Sequence, residues 1–307
     1  MIYTVTLNPA LDRYLVVEQL LTEDTTRILS ETSYAAGKGI DVSRVIRELG
    51  GQSVALGLVG GYDGLQLEGL LINAGVMTDF TRISGDTRTN IILREQIKGQ
   101  QYAISATGPE VNATEIGLFF QNVNQIRSMD YLILSGSLPR GVTPNLYGQL
   151  ILAGKKKNAF IILDTDGKSL RESIAYQPTC IKPNTYELSR LAERELNTES
   201  EILRFCEQIH LKGIPYILVS RGRKGLLLSS AEQKIKAVAP PVDVDSTVGA
   251  GDSVVGGFVL AHFQDKDLAD CIRFACAAGT ATARTPGTEL CHRKDVEDIL
   301  SKVQISN

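Results

Sequence analysis

Short runs of apolar, β-branched residues alternate along the chain with longer segments of helical spacing. Between the short runs, apolar residues recur at i, i+3, i+4 and i+7, which predicts helices around residues 42–49, 202–209 and 255–262. This alternation is typical of βαβ units, so we predict an α/β fold with a mainly parallel central sheet. The short runs that predict its strands are Ile2–Leu7, Val54–Val59, Tyr131–Leu134, Phe160–Leu163 and Tyr216–Ser220.

Two segments depart from this alternation. Residues 14–34 and 90–105 lack helical periodicity and show partial strand alternation, and the second contains a polar turn at Gly99-Gln100. We predict that they form extra β-structure outside the main sheet, as a small lid; ordinary loops with frayed strands are the alternative. No linker, low-complexity segment or internal repeat interrupts the chain, so residues 1–307 are predicted to form a single domain.

Composition and charge narrow the class of protein. Hydrophobic residues make up 43% and charged residues 22%, which excludes wholesale disorder. The balance of 32 basic and 35 acidic residues gives a net charge of −3, so we expect no nucleic-acid partner, and any anionic ligand needs local positive charge. No apolar run of about 18 residues predicts a membrane span, and no secretory signal pattern is present. Five scattered cysteines without a C-x-x-C pair indicate core thiols in a reduced, cytoplasmic protein.

The strongest local signal is the glycine-rich segment DSTVGAGDS, residues 245–253, which opens a helical pattern. Small residues at Gly249, Ala250 and Gly251 let the backbone approach a ligand, and the unpaired amides of a helix N-terminus attract phosphate. Asp252 would then accept a proton from an attacking hydroxyl; the alternative is an ordinary acid in a first helical turn. Neither a Walker loop nor the dinucleotide fingerprint occurs, which disfavours P-loop NTPases and standard Rossmann dehydrogenases.

Two further segments place small or polar residues at the start of a helix. The run AAGKGIDVSR, residues 35–44, predicts either a second ligand cradle or a plain glycine turn followed by an acid. In IKPNTYE, residues 181–187, Lys182 could meet phosphates, while Asn184 and Glu187 would share one helix face. Such a face suits a hydrated Mg²⁺ ion, which uses few protein ligands. The alternative is a helix that Pro183 initiates and Asn184 caps.

Together these segments resemble the signatures of the PfkB-type carbohydrate kinases of the ribokinase-like superfamily. Residues 36–42, AGKGIDV, are similar to the first signature of that family, and residues 245–257, DSTVGAGDSVVGG, to the second. The resemblance covers essentially the whole chain and implies a three-layer ribokinase-like fold with a lid from about 13–35 and 88–105. It also implies phosphotransfer to a sugar with ATP and Mg²⁺ as cofactors, and a homodimer formed through the lid without nucleic-acid or membrane partners.

The resemblance further implies a role for individual residues. Asp252 is the implied general base, and the amides of Gly249, Ala250 and Gly251 are the implied anion hole for the transferred phosphoryl group. Glu187 and Asn184 would hold Mg²⁺ through water. The implied ATP-binding residues are Lys182, Asn184, Ser220, Gly222, Gly225 and Thr247. Where K⁺ binds, it would use the backbone of Ser246, Val248, Thr285 and Gly287.

Within the family the chain is most similar to the phosphosugar branch. Residues 6–12, 87–90 and 135–139 (TLNPALD, TRTN and SGSLP) carry this similarity. It implies that Asp12 holds sugar hydroxyls and that the Arg88 guanidinium clamps the existing phosphate in a bidentate manner. The other implied substrate residues are Gly37, Lys38, Gly39, Asp41, Arg27 and Arg140. For Arg88, Lys38, Arg27 and Arg140, a solvated surface charge is the alternative.

The run PGTELC, residues 286–291, resembles the 6-phosphofructokinase pattern, which favours fructose 6-phosphate as the substrate and fructose 1,6-bisphosphate as the product. The alternatives are 1-phosphofructokinase, tagatose-6-phosphate kinase, a kinase for an unphosphorylated sugar or nucleoside, and a non-catalytic sugar-phosphate sensor. One residue departs from the family pattern, because the first signature ordinarily ends in Asn where this chain has Asp41. An ionised carboxylate only accepts hydrogen bonds, and it adds negative charge beside an anionic substrate.

Overall fold

Two β-sheets organise the chain, a ten-stranded sheet flanked by helices and a smaller four-stranded sheet. The computed structural model describes residues 1–307. The strands are β1 Ile2–Thr6, β2 Ala10–Val17, β3 Ile28–Ala36, β4 Ser53–Val59, β5 Met77–Arg82, β6 Arg88–Glu95, β7 Gln101–Ile104, β8 Tyr131–Ser135, β9 Phe160–Asp164, β10 Cys180–Ile181, β11 Tyr216–Ser220, β12 Leu226–Ser229, β13 Lys234–Val238 and β14 Gln304–Ser306. The α-helices are α1 Lys38–Glu48, α2 Gly61–Asn73, α3 Ala113–Gln125, α4 Asn145–Lys155, α5 Gly167–Ser173, α6 Thr185–Ala192, α7 Glu199–His210, α8 Ala250–Phe263, α9 Leu268–Thr282 and α10 Arg293–Leu300.

The large sheet confirms the predicted α/β architecture. Its strand order is β14-β13-β12-β11-β10-β9-β8-β1-β4-β5. The strands from β11 to β5 pair in parallel, while β12, β13 and β14 form an antiparallel edge. All five predicted strands are present, each within one residue of its predicted ends, and the three predicted helices correspond to α1, α7 and α8.

Helices cover both faces of the large sheet and create two hydrophobic cores, which gives the three-layer arrangement. On one face α1, α8 and α9 bury side chains such as Val45, Phe258 and Ala275 against the sheet. On the other face α3, α4 and α7 contribute Phe119, Tyr147 and Ile202. All five cysteines are buried and unpaired, as predicted for core thiols. None of the helices is long and apolar enough to cross a membrane.

The extra β-structure predicted outside the main sheet is confirmed as a separate four-stranded sheet, called the lid sheet below, with the order β3-β2-β6-β7. It spans residues 10–36 and 88–104, close to the predicted 13–35 and 88–105. Strands β2 and β6 pair in parallel, and the register sets Asp12 opposite Asn90. An ion pair between Arg94 Nη1 and Asp245 Oδ1, 3.4 Å apart, joins this sheet to the loop before α8.

Candidate active site

The candidate site lies at the carboxyl ends of the parallel strands, where open α/β sheets bind ligands. Asp164 ends β9, Lys182 follows β10 directly, and Ser220 ends β11. Helices α1 and α8 begin at the same edge, and their first turns carry Lys38 and Asp252. Residues that are far apart in sequence therefore meet because their strands are neighbours in the sheet.

Helix α8 begins with a backbone that only glycine adopts readily. Gly249 has a φ of 75°, and a Cβ atom there would lie 2.4 Å from Leu290 Cδ2. The amide of Gly251 makes no backbone hydrogen bond, and a Cβ atom there would approach Lys182 Nζ to 3.3 Å. The Ala250 amide, in contrast, is already used, since it donates to Thr247 O at 3.3 Å. The free amide at Gly251, beside a lysine, suits an anion.

Asp252 lies in the first turn of α8 and is buried. Burial raises the pKa of this carboxyl well above its usual range, and the nearby carboxylates of Asp41 and Asp164 raise it further. Lys38 and Lys182 oppose the shift. A carboxylate with a raised pKa is a stronger proton acceptor once ionised, which is the property a general base needs.

Asp164 is a further residue of the candidate site, and it belongs to none of the sequence motifs. Its Oδ1 atom lies 3.1 Å from Lys38 Nζ and 3.5 Å from Lys182 Nζ, so one buried carboxylate holds both lysines. Burial favours neutral Lys38, but Asp164, Asp252 and Glu187 outweigh this effect and raise the pKa of Lys38 above its usual range. The Oδ2 atom of Asp164 is buried without a hydrogen-bond partner. Lys38 is thus paired within the site rather than a free surface charge.

Gly37 and Gly39, in the glycine-rich segment 35–44, allow close packing at the start of α1. Gly37 has a φ of 132°, and a Cβ atom there would lie 2.6 Å from Thr6 Cγ2. A Cβ atom at Gly39 would lie 2.7 Å from the Val5 carbonyl oxygen. The Thr6 hydroxyl accepts a hydrogen bond from the Ile40 amide at 2.9 Å. Close contact with β1 therefore explains both glycines before any ligand is considered.

Two carboxylates and two arginines form the other side of the site. Asp12 is buried and accepts a hydrogen bond from Asn90 Nδ2 at 2.8 Å. Asp41 accepts from Arg44 Nη1 at 3.0 Å, and the same guanidinium donates to Ala35 O at 3.1 Å. Burial raises the pKa of Asp41 to about 6; Arg44 opposes this shift and Asp12 adds to it. Burial also raises the pKa of Asp12, against the Asn90 bond and the charges of Arg88 and Arg44.

A polar pocket of about 570 Å³ contains Arg88 and Arg140 in its lining. Arg88 donates to Ala106 O at 2.8 Å and to Asn8 O at 3.0 Å and forms no ion pair, so its charge is available to an anion. Arg140 donates to Gly108 O at 3.2 Å. Arg27 lies away from this pocket of the same chain. It is exposed beside the β2–β3 turn, at the opposite end of the lid sheet from the Ala10–Arg88 pair.

Except for Thr247, which lies in the loop before α8, the predicted nucleotide residues lie at or just after the ends of the neighbouring strands β10 and β11. The Ser220 amide donates to the Pro183 carbonyl at 3.1 Å, which sets the turn after β11 beside Lys182 and Asn184. Asn184 and Glu187 form a reciprocal capping box at the start of α6, so the helix-cap alternative is observed. Only Glu187 Oε2 takes part in this capping. Its second oxygen stays available to water on a hydrated cation.

The predicted potassium residues come from two segments that touch. The Ser246 hydroxyl donates to the Gly287 carbonyl at 2.7 Å, and the Val248 amide donates to Ser246 Oγ at 3.3 Å. The Thr285 hydroxyl lies within donating distance of two carbonyl oxygens, 2.8 Å from Thr282 O and 2.6 Å from Glu289 O. Thr247 and Val248 are exposed in the loop before Gly249. The two loops therefore meet through Ser246 and Gly287, and backbone carbonyl oxygens are a ligand type that hard cations prefer.

Comparisons with known proteins show the family to which the chain belongs. Residues 6–295 match the family described as pfkB family carbohydrate kinase. The chain is 35% identical to the ATP-dependent 6-phosphofructokinase isozyme 2 of Escherichia coli, with 97% of each chain covered. It is 33% identical to the 1-phosphofructokinase of Borreliella burgdorferi, over 100% of this chain and 99% of the relative. The structure of phosphofructokinase-2 from Escherichia coli in complex with potassium superposes with a TM-score of 0.93 at 34% identity, over 98% of both chains. The chain therefore belongs to the pfkB family of carbohydrate kinases.

Proposed function

We propose that this carbohydrate kinase, a phosphotransferase with an alcohol acceptor, transfers the γ-phosphoryl group of ATP to a ketohexose phosphate. The first candidate substrate is fructose 6-phosphate, with fructose 1,6-bisphosphate as the product. The observation that carries the proposal is that the chain has both a buried carboxyl suited to act as a base, Asp252, and an arginine without an ion-pair partner, Arg88. A kinase for an unphosphorylated sugar has no use for that second feature.

In this mechanism Asp252 accepts the proton of the sugar 1-hydroxyl as its oxygen attacks the γ-phosphorus. The bond between the γ-phosphorus and the bridging oxygen breaks, and ADP leaves. The Gly251 amide, Lys182 and Lys38 stabilise the charge on the transferring group, while Asp12 and Arg88 orient the sugar phosphate. Asp164 Oδ2, an orphaned buried oxygen, and Glu187 fit a hydrated Mg²⁺ ion. That ion, when bound, neutralises phosphate charge.

Fructose 1-phosphate is the second candidate substrate, because a relative named 1-phosphofructokinase matches the chain over almost its full length. Phosphorylation of fructose 1-phosphate at the 6-hydroxyl also gives fructose 1,6-bisphosphate, so the two activities share a product and differ only in which end of the sugar faces Asp252. Product analysis alone therefore does not separate them.

The decisive experiment compares initial rates of ADP formation from fructose 6-phosphate, fructose 1-phosphate and tagatose 6-phosphate at matched concentrations, with ribose and adenosine as unphosphorylated controls. We expect the highest kcat/KM with fructose 6-phosphate. A higher value for fructose 1-phosphate would transfer the assignment to the second candidate. Preference for ribose or adenosine would reject a phosphosugar substrate, and binding without ADP formation would indicate a sensor.

We also propose that the lid sheet forms a homodimer interface and that K⁺ binds beside the anion site. Three lid side chains, Ile28, Leu29 and Ile104, are each more than half exposed, and exposed large apolar side chains on both edge strands of the lid sheet favour a partner. The solution mass of wild type and of Leu29→Glu tests the dimer, and kcat in K⁺ against Na⁺ tests the cation. The free, buried thiols support a reducing, cytoplasmic setting.

A further inference from the structure

Arg221 is a basic residue of the nucleotide turn, residues 220–225, whose side chain lies inside the protein. The side chain is 7% exposed, and its Nη1 atom lies 2.6 Å from Glu199 Oε2. Its Nη2 atom donates to the Lys224 carbonyl at 3.0 Å. Arg223 and Lys224 on the same turn are exposed and form no ion pair. Arg221 is therefore a buried and paired cation, whereas the other two basic side chains of the turn are exposed to solvent.

Glu199 connects this turn to two other elements. It is the first residue of α7, and its second oxygen, Oε1, lies 2.6 Å from Lys236 Nζ on β13. Hydrogen bonds from Lys236 and Arg221 lower the pKa of Glu199, so the carboxylate stays ionised at neutral pH. One carboxylate thus fixes the turn after β11 relative to α7 and β13.

The bonds of Arg221 also determine the shape of the turn. The Arg221 amide donates to the Gly225 carbonyl at 2.9 Å, and the Gly225 amide donates to the Gly222 carbonyl at 2.9 Å. Gly222 and Gly225 both have positive φ values, 57° and 78°. The Lys224 amide also donates to the Arg221 carbonyl at 3.1 Å. The guanidinium bond to the Lys224 carbonyl adds a side-chain restraint to these backbone bonds.

We propose that Glu199 is a positioning residue for the nucleotide, which acts through Arg221 to hold the turn 220–225 in its ATP-binding shape. The inference rests on the proposed function, because it takes this turn as part of the ATP site. It goes beyond the matched motif, whose positions in this turn are Ser220, Gly222 and Gly225. Glu199 lies outside that motif.

The test uses Glu199→Gln, Arg221→Met and the double variant in the full-length protein. We expect each single change to raise the KM for ATP about tenfold, the effect of losing one charge-assisted hydrogen bond, with kcat and the KM for the sugar phosphate unchanged. Because Glu199 acts through Arg221, the double variant should match Arg221→Met alone. Arg221→Lys keeps the ion pair without the carbonyl bond and should give a smaller increase.

The matched control is Glu207→Gln, which breaks the Glu207–Lys234 pair, 2.8 Å long, between the same two elements α7 and β13. We expect this variant to bind ATP as wild type does. The proposal would be overturned if the two single increases in the KM for ATP multiplied in the double variant. It would also be overturned if the control showed an equal increase, or if the KM for ATP stayed unchanged in the single variants. Displacement of a fluorescent ATP analogue without sugar gives a second readout, which stays informative even if the assigned sugar is wrong. Thermal unfolding checks that each variant is folded.

Discussion

The Nζ atom of Lys182 lies 3.5 Å from Oδ1 of Asp164, and both side chains are almost completely buried. The same oxygen lies 3.1 Å from Lys38 Nζ, so two ammonium groups share one carboxylate. The net charge of the chain is −3, yet this edge of the sheet brings two ammonium groups together beside the free Gly251 amide. We therefore expect attraction of a polyphosphate to depend on these local groups rather than on the overall charge.

Asp164→Asn should destabilise the fold and slow the reaction. The change leaves Lys182 buried without a counter-ion, which costs about 3 kcal/mol in the free energy of unfolding, and urea denaturation measures this loss. Asp166→Asn is the matched control. Asp166 lies two residues further on and pairs with Arg190 at the surface, and such a pair contributes less than about 1 kcal/mol. Equal losses in both variants would refute the role given to Asp164.

Periodicity predicted the strands β1, β4, β8, β9 and β11, but neither the two-residue strand β10 before Lys182 nor the antiparallel edge of the sheet. Strands β12 and β14 have only four and three residues, too few for an alternation to stand out. Asp164 belongs to no motif, and its importance follows from strand order, because β9 and β10 are neighbours that bring it to Lys182. The pairing of Asp41 with Arg44, in contrast, follows from their spacing of three on α1 and could have been predicted.

Asp252→Asn should lower kcat by about 10²–10⁴, the usual contribution of a general base, with the KM for both substrates little changed. Because the pKa of Asp252 is raised, wild-type kcat/KM should fall on acidification at a pH well above the usual carboxyl range. Asp270→Asn, in the first turn of α9, is the control for an ordinary helix-start acid. Near-normal turnover of Asp252→Asn would exclude the residue as the base.

Asp41→Asn should retain activity and bind the sugar phosphate a few-fold more tightly, an effect on the order of 0.5–1 kcal/mol. The change removes a negative charge near the substrate and one cause of the raised pKa of Asp252. The acid limb of kcat/KM should therefore move to lower pH. Glu31→Gln, which removes a lid-sheet charge paired with Arg13, controls for net charge. An unchanged or higher KM would argue against a substrate role for Asp41.

Gly249→Ala should impair both folding and catalysis. The left-handed backbone and the 2.4 Å approach to Leu290 Cδ2 force the start of α8 to shift, which displaces the amides of the anion site. We expect at least 1–2 kcal/mol of destabilisation, on the order of the cost of a strained backbone, and a fall in kcat. Gly117→Ala is the control, since that exposed glycine in α3 has open space around it. There, alanine should stabilise the helix by roughly 1 kcal/mol, as thermal unfolding would show.

Arg88→Lys should raise the KM for the sugar phosphate without affecting the KM for ATP. Lysine keeps the positive charge but loses the guanidinium fork, which donates to the carbonyls of Asn8 and Ala106 and can bind a phosphate bidentately. We expect an increase of about tenfold, the loss of one charge-assisted bond. The slow rate with unphosphorylated fructose should be unchanged, because that sugar has no phosphate group for Arg88 to bind. Arg82→Lys, at the surface pair with Glu68, is the control. If the variant lost as much activity with unphosphorylated fructose as with fructose 6-phosphate, Arg88 would be a general structural residue. The phosphosugar assignment would then lose its main support.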